Sequence, residues 1–66
     1  MASYTPRVKA ILKLHHCRYY RPGKGDHEIW YSPINGHKFP VDSNIRSRAL
    51  ANVVLKQAGI KDERFN

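Results

Sequence analysis

The stretch His27-Glu28-Ile29-Trp30-Tyr31-Ser32-Pro33-Ile34-Asn35-Gly36-His37-Lys38-Phe39-Pro40-Val41 decides the fold of this chain. His27 to Ser32 reads as a strand. Asn35-Gly36 is a strong hairpin signal, because a type I′ turn needs positive φ at both central positions. Such a turn sets Ile34 opposite His37, Ser32 opposite Phe39 and Trp30 opposite Val41. Trp30, Ile34, Phe39 and Val41 then share the core face. His27, Ile29 and Tyr31 have the opposite parity and fall on the more open face. Pro40 puts its strand at an edge or near its end, since it has no N–H to give to a ladder.

Upstream, Gly23-Lys24-Gly25-Asp26 forms a loop in which the glycines free the backbone and Lys24 adds a mobile positive charge. The loop delivers His27 to the mouth of a strand, an arrangement suited to work on a phosphate backbone. Before it, Cys17 to Arg21 carries Tyr19 and Tyr20, is closed by Pro22-Gly23, and reads as a first strand. Thr5-Pro6 opens a helix, with Thr5 as a hydroxyl N-cap and Pro6 at N1. Val8, Ile11, Leu12 and His15 recur at helical spacing and predict a helix over 6–16, with Arg7, Lys9 and Lys13 toward solvent. Residues 1–4 read as a loose start.

Downstream, Asp42-Ser43-Asn44 is turn chemistry, and Ser43, Asn44 or Ser47 caps a second helix running to Ala58. Leu50, Val53, Val54 and Ala58 make its expected apolar stripe. Gly59 suits the C′ position, with Ile60 packing back on Leu55, and Lys61 to Asn66 reads as a frayed tail. The result is one α+β domain over 1–66, with its core from about 5 to 60, in the order α-β-β-β-α. Both helices are expected on one face of a three-stranded antiparallel sheet, with the other face wet.

Lys and Arg number 12 against 5 Asp and Glu, a net charge of +7 on 66 residues. That balance points to a polyanion: nucleic acid first, then an acidic membrane or acidic partner, with charge kept for solubility as the plain alternative. The lone Cys17 rules out an internal disulfide, fits a reducing cytoplasm and reads as a small hydrophobe. No cysteine cluster suggests a metal, and no cofactor is expected. No apolar run approaches the roughly 20 residues that span a bilayer, and no signal-peptide core is present, so a soluble, cytoplasmic protein without membrane contact is expected.

Three segments carry a resemblance. Gly23-Lys24-Gly25-Asp26-His27-Glu28-Ile29-Trp30, Lys38-Phe39-Pro40-Val41 and Val54-Leu55-Lys56-Gln57-Ala58-Gly59-Ile60 together resemble the HicA family. These are small toxins of bacterial type II toxin–antitoxin modules, sometimes described as YcfA-like. The resemblance runs from about Thr5 to Ile60, in the same element order. It implies a fold like the double-stranded-RNA-binding domain and cleavage of mRNA that stops translation. It also implies a HicB-type antitoxin that covers the active site, the free chain being a monomer that forms a hetero-oligomer with it. The family's catalytic histidine lies in a Gly-Ser-His segment, matched here by Gly25-Asp26-His27, so His27 is carried over as catalytic. Asp26 departs from the pattern; a carboxylate beside the imidazole either favours its cation or repels the phosphate.

The chemistry also stands without the family. RNA carries its own nucleophile, the 2′-hydroxyl, so a metal-independent endoribonuclease need only move protons and stabilise charge on the phosphoryl oxygens. Histidine is the side chain that exchanges its proton near neutrality. Whether His27 acts as base, acid or both stays open. Arg21, Lys24 and the loop around Gly25 are candidates to hold the phosphate, and Lys38, Arg46, Arg48 and Lys56 to contact RNA more widely.

Plainer roles fall to other residues. His15 and His16 point about 100° apart on a helix and make no metal pair; His15 borders the core and His16 the surface. His37 reads as an exposed turn residue, and Glu28 as facing away from His27 or pairing with a lysine. Tyr19, Tyr20 and Tyr31 read as core or cross-strand pairs rather than base-stacking platforms. Two rival functions accompany the nuclease: a non-catalytic RNA-binding domain of the same fold, and a degenerate toxin that only binds its antitoxin.

Overall fold

Strand alternation sets the architecture. The computed structural model describes residues 3–66, so Met1 and Ala2 of the expected loose start lie outside the described residues. The elements are α1 (Thr5–Leu14), β1 (Arg18–Pro22), β2 (His27–Tyr31), β3 (Lys38–Asp42) and α2 (Arg48–Gln57), the expected α-β-β-β-α order. The sheet is antiparallel, with β2 between β1 and β3. Trp30, Phe39 and Val41 are buried with Val8 and Leu12 of α1 and Val54 and Leu55 of α2, so both helices cover one face. Among the described residues no helix is long and apolar enough to cross a membrane.

The hairpin register differs from the expected one. Trp30 pairs with Phe39, Glu28 with Val41 and His27 with Asp42, a shift of two residues. The Asn35-Gly36 pair does not form a type I′ turn: Gly36 has φ +71°, but Asn35 is not among the described residues with positive φ. The loop is wider instead. Ser32 N–H donates to the His37 carbonyl and Gly36 N–H to the Ser32 carbonyl. The wider loop leaves Pro33 outside the ladder. Because the shift is even, the core face is preserved for Trp30, Phe39 and Val41. Ile34 leaves it and is 49% exposed.

Ser32 takes a buried place at the end of this hairpin. Its hydroxyl donates to the Ala58 carbonyl at 2.6 Å, and the Asn35 amide donates to the Gln57 carbonyl at 3.0 Å. The hairpin therefore satisfies carbonyls that the end of α2 leaves without helical partners. Gly59 N–H and Ile60 N–H donate to the Lys56 and Leu55 carbonyls, the expected Schellman closure, and Ile60 is buried.

Ser47 proves to be the cap of α2, accepting from Leu50 N–H. The buried stripe is Ala51, Val54, Leu55 and Ala58, rotated from the expected one, and Leu50 and Val53 stay exposed. Ala51-Asn52-Val53-Val54-Leu55 supports two overlapping apolar stripes at helical spacing, and packing against the sheet selects between them.

At α1, Thr5 is not the N-cap; Tyr4 holds that place without a side-chain cap bond. The Thr5 hydroxyl donates to the Asp42 carbonyl and accepts Ile45 N–H, tying α1 to the connection after β3. The helix ends at Leu14 rather than residue 16 because His16 adopts φ +69°, and Cys17 N–H closes onto the Leu12 carbonyl.

The C-terminal segment is docked rather than frayed. Asn52 exchanges two hydrogen bonds with the Phe65 backbone, and the Phe65 ring meets Tyr4 edge-on at 5.2 Å. Glu63 Oε2 lies 3.0 Å from His15 Nε2.

Candidate active site on the open face of the sheet

The face of the sheet away from the helices carries aligned rungs of side chains. Arg18, Tyr31 and Lys38 form one rung across β1, β2 and β3; Arg21, Ile29 and Pro40 form the next; His27 and Asp42 form the last. His27 is thus on the open face at the mouth of β2, as its parity predicts, and its side chain is 49% exposed.

The preceding loop fixes the ring. Gly23 N–H donates to the His27 carbonyl, and His27 N–H donates to the Lys24 carbonyl. Gly25 turns the chain at φ +58°, which favours glycine. Gly23 is held by space: a Cβ there would lie 3.2 Å from the His27 carbonyl oxygen and 3.2 Å from Ile29 Cδ1. His27 Nδ1 then sits 3.2 Å from that same Lys24 carbonyl. Since a carbonyl only accepts, this contact puts the proton on Nδ1. In the neutral ring the Nε2 lone pair is left to the open side.

Asp42 faces that nitrogen, with Oδ2 4.0 Å from His27 Nε2. Its other oxygen accepts Asn44 N–H at 3.0 Å, and the Thr5 hydroxyl donates to its backbone carbonyl, so one bond orients the carboxylate and another fixes the main chain behind it. The sequence reading missed Asp42 because the tighter hairpin puts it opposite Ile29. The two-residue shift brings it to His27. Asp26, singled out as the departure from the family pattern, is exposed in the loop, and among the described residues Asp42 is the carboxylate in ion-pair range of His27.

The other expected RNA contacts divide. Arg21, Lys24 and Gly25 belong to the β1–β2 end that carries His27, with Arg21 Nη1 donating to the Pro22 carbonyl. Lys38 is on the same open face, two rungs away. Arg46 and Arg48 are exposed at the start of α2. Lys56 is not brought to the site; it shares a groove with Lys61, Glu63 and Arg64.

Glu28 is excluded as a base beside His27, for it points to the helices. It accepts from Trp30 Nε1 at 2.9 Å and meets Lys9 Nζ at 3.1 Å. The indole hydrogen bond first, and then the lysine, hold its carboxyl below the usual glutamate range. His37 is exposed at the hairpin loop, where its N–H donates to Asn35 Oδ1. Among the described residues no three His, Cys, Asp or Glu side chains converge as a metal site would require.

Beside His27 a groove of about 190 Å³ passes Asp42 and Pro40 and reaches Leu50, Val53 and Gln57 of α2. Leu50 is 56% and Val53 47% exposed. Comparison with known proteins finds no matching family model, no matching curated protein and no matching solved structure.

Proposed function

We propose that this chain is a HicA-like endoribonuclease toxin, cleaving mRNA in the cytoplasm through His27 and neutralised by a HicB-type antitoxin. The observation that carries this reading is the geometry of His27: Nδ1 pinned to a loop carbonyl and Nε2 offered to the open face beside Asp42. In the reaction, Nε2 takes the proton of the 2′-hydroxyl as O2′ bonds to the adjacent phosphorus. The P–O5′ bond breaks, leaving a 2′,3′-cyclic phosphate and a 5′-oxygen that takes up a proton from water or from the imidazolium. Lys24 and Arg21 offset the charge that grows on the phosphoryl oxygens, and Asp42 stabilises the imidazolium while it exists. Since the nucleophile belongs to RNA, this route is complete without a metal.

Exposed Leu50 and Val53, next to His27, support the partner half of the proposal. An antitoxin laid over this groove buries apolar surface and the imidazole together, which couples affinity to inhibition.

Asp42 also favours a second reading. Its carboxylate on the Nε2 side, with Asp26 in the loop, repels a phosphate approaching the imidazole. A chain that binds RNA without cutting it, or that has kept only its antitoxin surface, fits that feature. Inducible expression of the wild type and of His27→Ala separates these readings. The nuclease reading expects growth arrest and mRNA loss from the wild type alone. Soluble wild-type protein that leaves growth and mRNA intact would sink it, and equal cutting by both would remove His27 from the chemistry.

A further inference from the structure

The far end of the open face, two rungs from His27, holds an aromatic and cationic cluster outside the catalytic group. The irregularity in β1 between Tyr19 and Arg21 makes Tyr20 an extra residue without a partner on β2. Tyr20 is 52% exposed, and its ring lies 4.4 Å from Lys38 Nζ on β3. The two side chains meet across the intervening strand, beside half-buried Tyr31. Arg18 completes the rung, and the cluster borders an open depression of about 380 Å³.

Tyr19, Tyr20 and Tyr31 are expected from sequence in core or cross-strand pairs; Tyr19 pairs with Trp30 yet is 49% exposed, and Tyr20 is exposed and has no cross-strand partner. A solvent-facing ring held on a sheet and flanked by arginine and lysine has the composition that accepts an unpaired base: the ring stacks, the cations take adjoining phosphates. The acidic side chains of this region, Asp26 and Asp42, lie at the His27 end, and among the described residues no carboxylate pairs with Arg18 or Lys38; Lys38 covers one face of the Tyr20 ring, which leaves the other face for a base. A duplex hides its base faces in its own stack and gains nothing from such a ring.

Resting on the nuclease reading, we infer that the Tyr20–Tyr31–Lys38–Arg18 cluster is a stacking subsite for a single-stranded RNA base, which makes unpaired RNA the substrate. Tyr31 and His27 are four residues apart on β2, about 13 Å along the strand, so the stacked base lies upstream or downstream of the cut rather than at it.

The test uses the intact chain and a short end-labelled RNA, 2′-O-methylated so that it cannot be cut, followed by fluorescence anisotropy. Wild type is expected to bind the single strand more tightly than the duplex of the same sequence. Tyr20→Ala is expected to weaken single-strand binding by about 5- to 150-fold, the range for losing one stacked base, while Tyr20→Phe keeps it. Should Tyr20→Ala fail to fold, Arg18→Ala and Lys38→Ala carry the test: each lowers the salt slope by about 0.7 if it removes one phosphate contact on a single strand. Unchanged binding by the folded variants overturns the inference. So does duplex binding as tight as single-strand binding, or a wild type that binds no RNA and holds a protein on this face instead. Cleavage of unmodified RNA is scored separately. A wild type that cuts while Tyr20→Ala binds normally refutes the subsite alone; Tyr20-dependent binding without cutting refutes the nuclease alone.

Discussion

His27 and Glu28 are consecutive ionisable residues, and the alternation of β2 sends them to opposite faces of the sheet. The inward row runs Glu28, Trp30 and then Ser32 just past the strand, and each polar group in it has an internal partner. The Trp30 indole N–H meets Glu28, Glu28 meets Lys9, and the Ser32 hydroxyl meets the end of α2. The outward row runs His27, Ile29 and Tyr31, and its titratable ring is left half open with one nitrogen unengaged by backbone. Parity along one strand thus separates what holds the protein together from what faces solvent. Substitutions on the two rows should accordingly fail in different ways.

The largest effect is expected at Trp30, buried between the sheet and both helices. Trp30→Ala should cost about 3–5 kcal/mol, comparable to the whole stability of a domain this small. Urea denaturation should show it partly or fully unfolded. His27→Ala is the counterpart on the outward row. It should slow RNA cleavage by about 10²–10⁴-fold while changing the unfolding free energy by no more than about 0.5 kcal/mol. If His27→Ala destabilised the fold as Trp30→Ala does, the separation of the two rows would be wrong.

A smaller effect tests how the inward row reaches α2. Ser32→Ala leaves the buried Ala58 carbonyl without its donor and should cost about 1–3 kcal/mol. Hydrogen exchange should report that loss first in the last turn of α2. An equal loss throughout the sheet would mean that the hydroxyl is not a local fastener.

Much of this was legible from the sequence because parity is robust. The apolar spacing of Trp30, Phe39 and Val41 put them together even though the register was off by two, since an even shift keeps every side chain on its face. The closure at Gly59-Ile60 was legible because left-handed backbone there calls for glycine; the matching turn at His16 was not, because a histidine gives no such signal. The place of His27 on the open face, just after the glycine loop, was legible as well. Asp42 was not, because its place depends on the width of the hairpin loop, which local turn propensity misjudged and the ladder decided. The exposed Leu50–Val53 strip was hidden for another reason: α2 carries two apolar stripes, and periodicity alone does not choose between them.

The smallest effect belongs to Glu28, and its pH dependence sharpens the contrast with His27. The Trp30 and Lys9 contacts favour the carboxylate, so the folded pKa lies below the unfolded one. Between those two values the unfolded chain binds more protons than the folded chain, and stability therefore rises with pH across that window. The stabilisation is complete above the ordinary glutamate range, near about 4.3, and is lost as pH falls through the lower folded value. Glu28→Gln keeps an acceptor for the indole but removes the charge. Because the side chain is partly solvated, the loss near neutrality should stay below about 1 kcal/mol. The diagnostic is the slope: denaturation midpoints measured below about pH 4.5 should fall less steeply for Glu28→Gln than for wild type. Cleavage measured at neutral pH should be unchanged, since Glu28 faces the helices. A variant that kept the wild-type acid slope, or that lost cleavage at neutral pH, would show that the two faces of β2 are coupled through the strand.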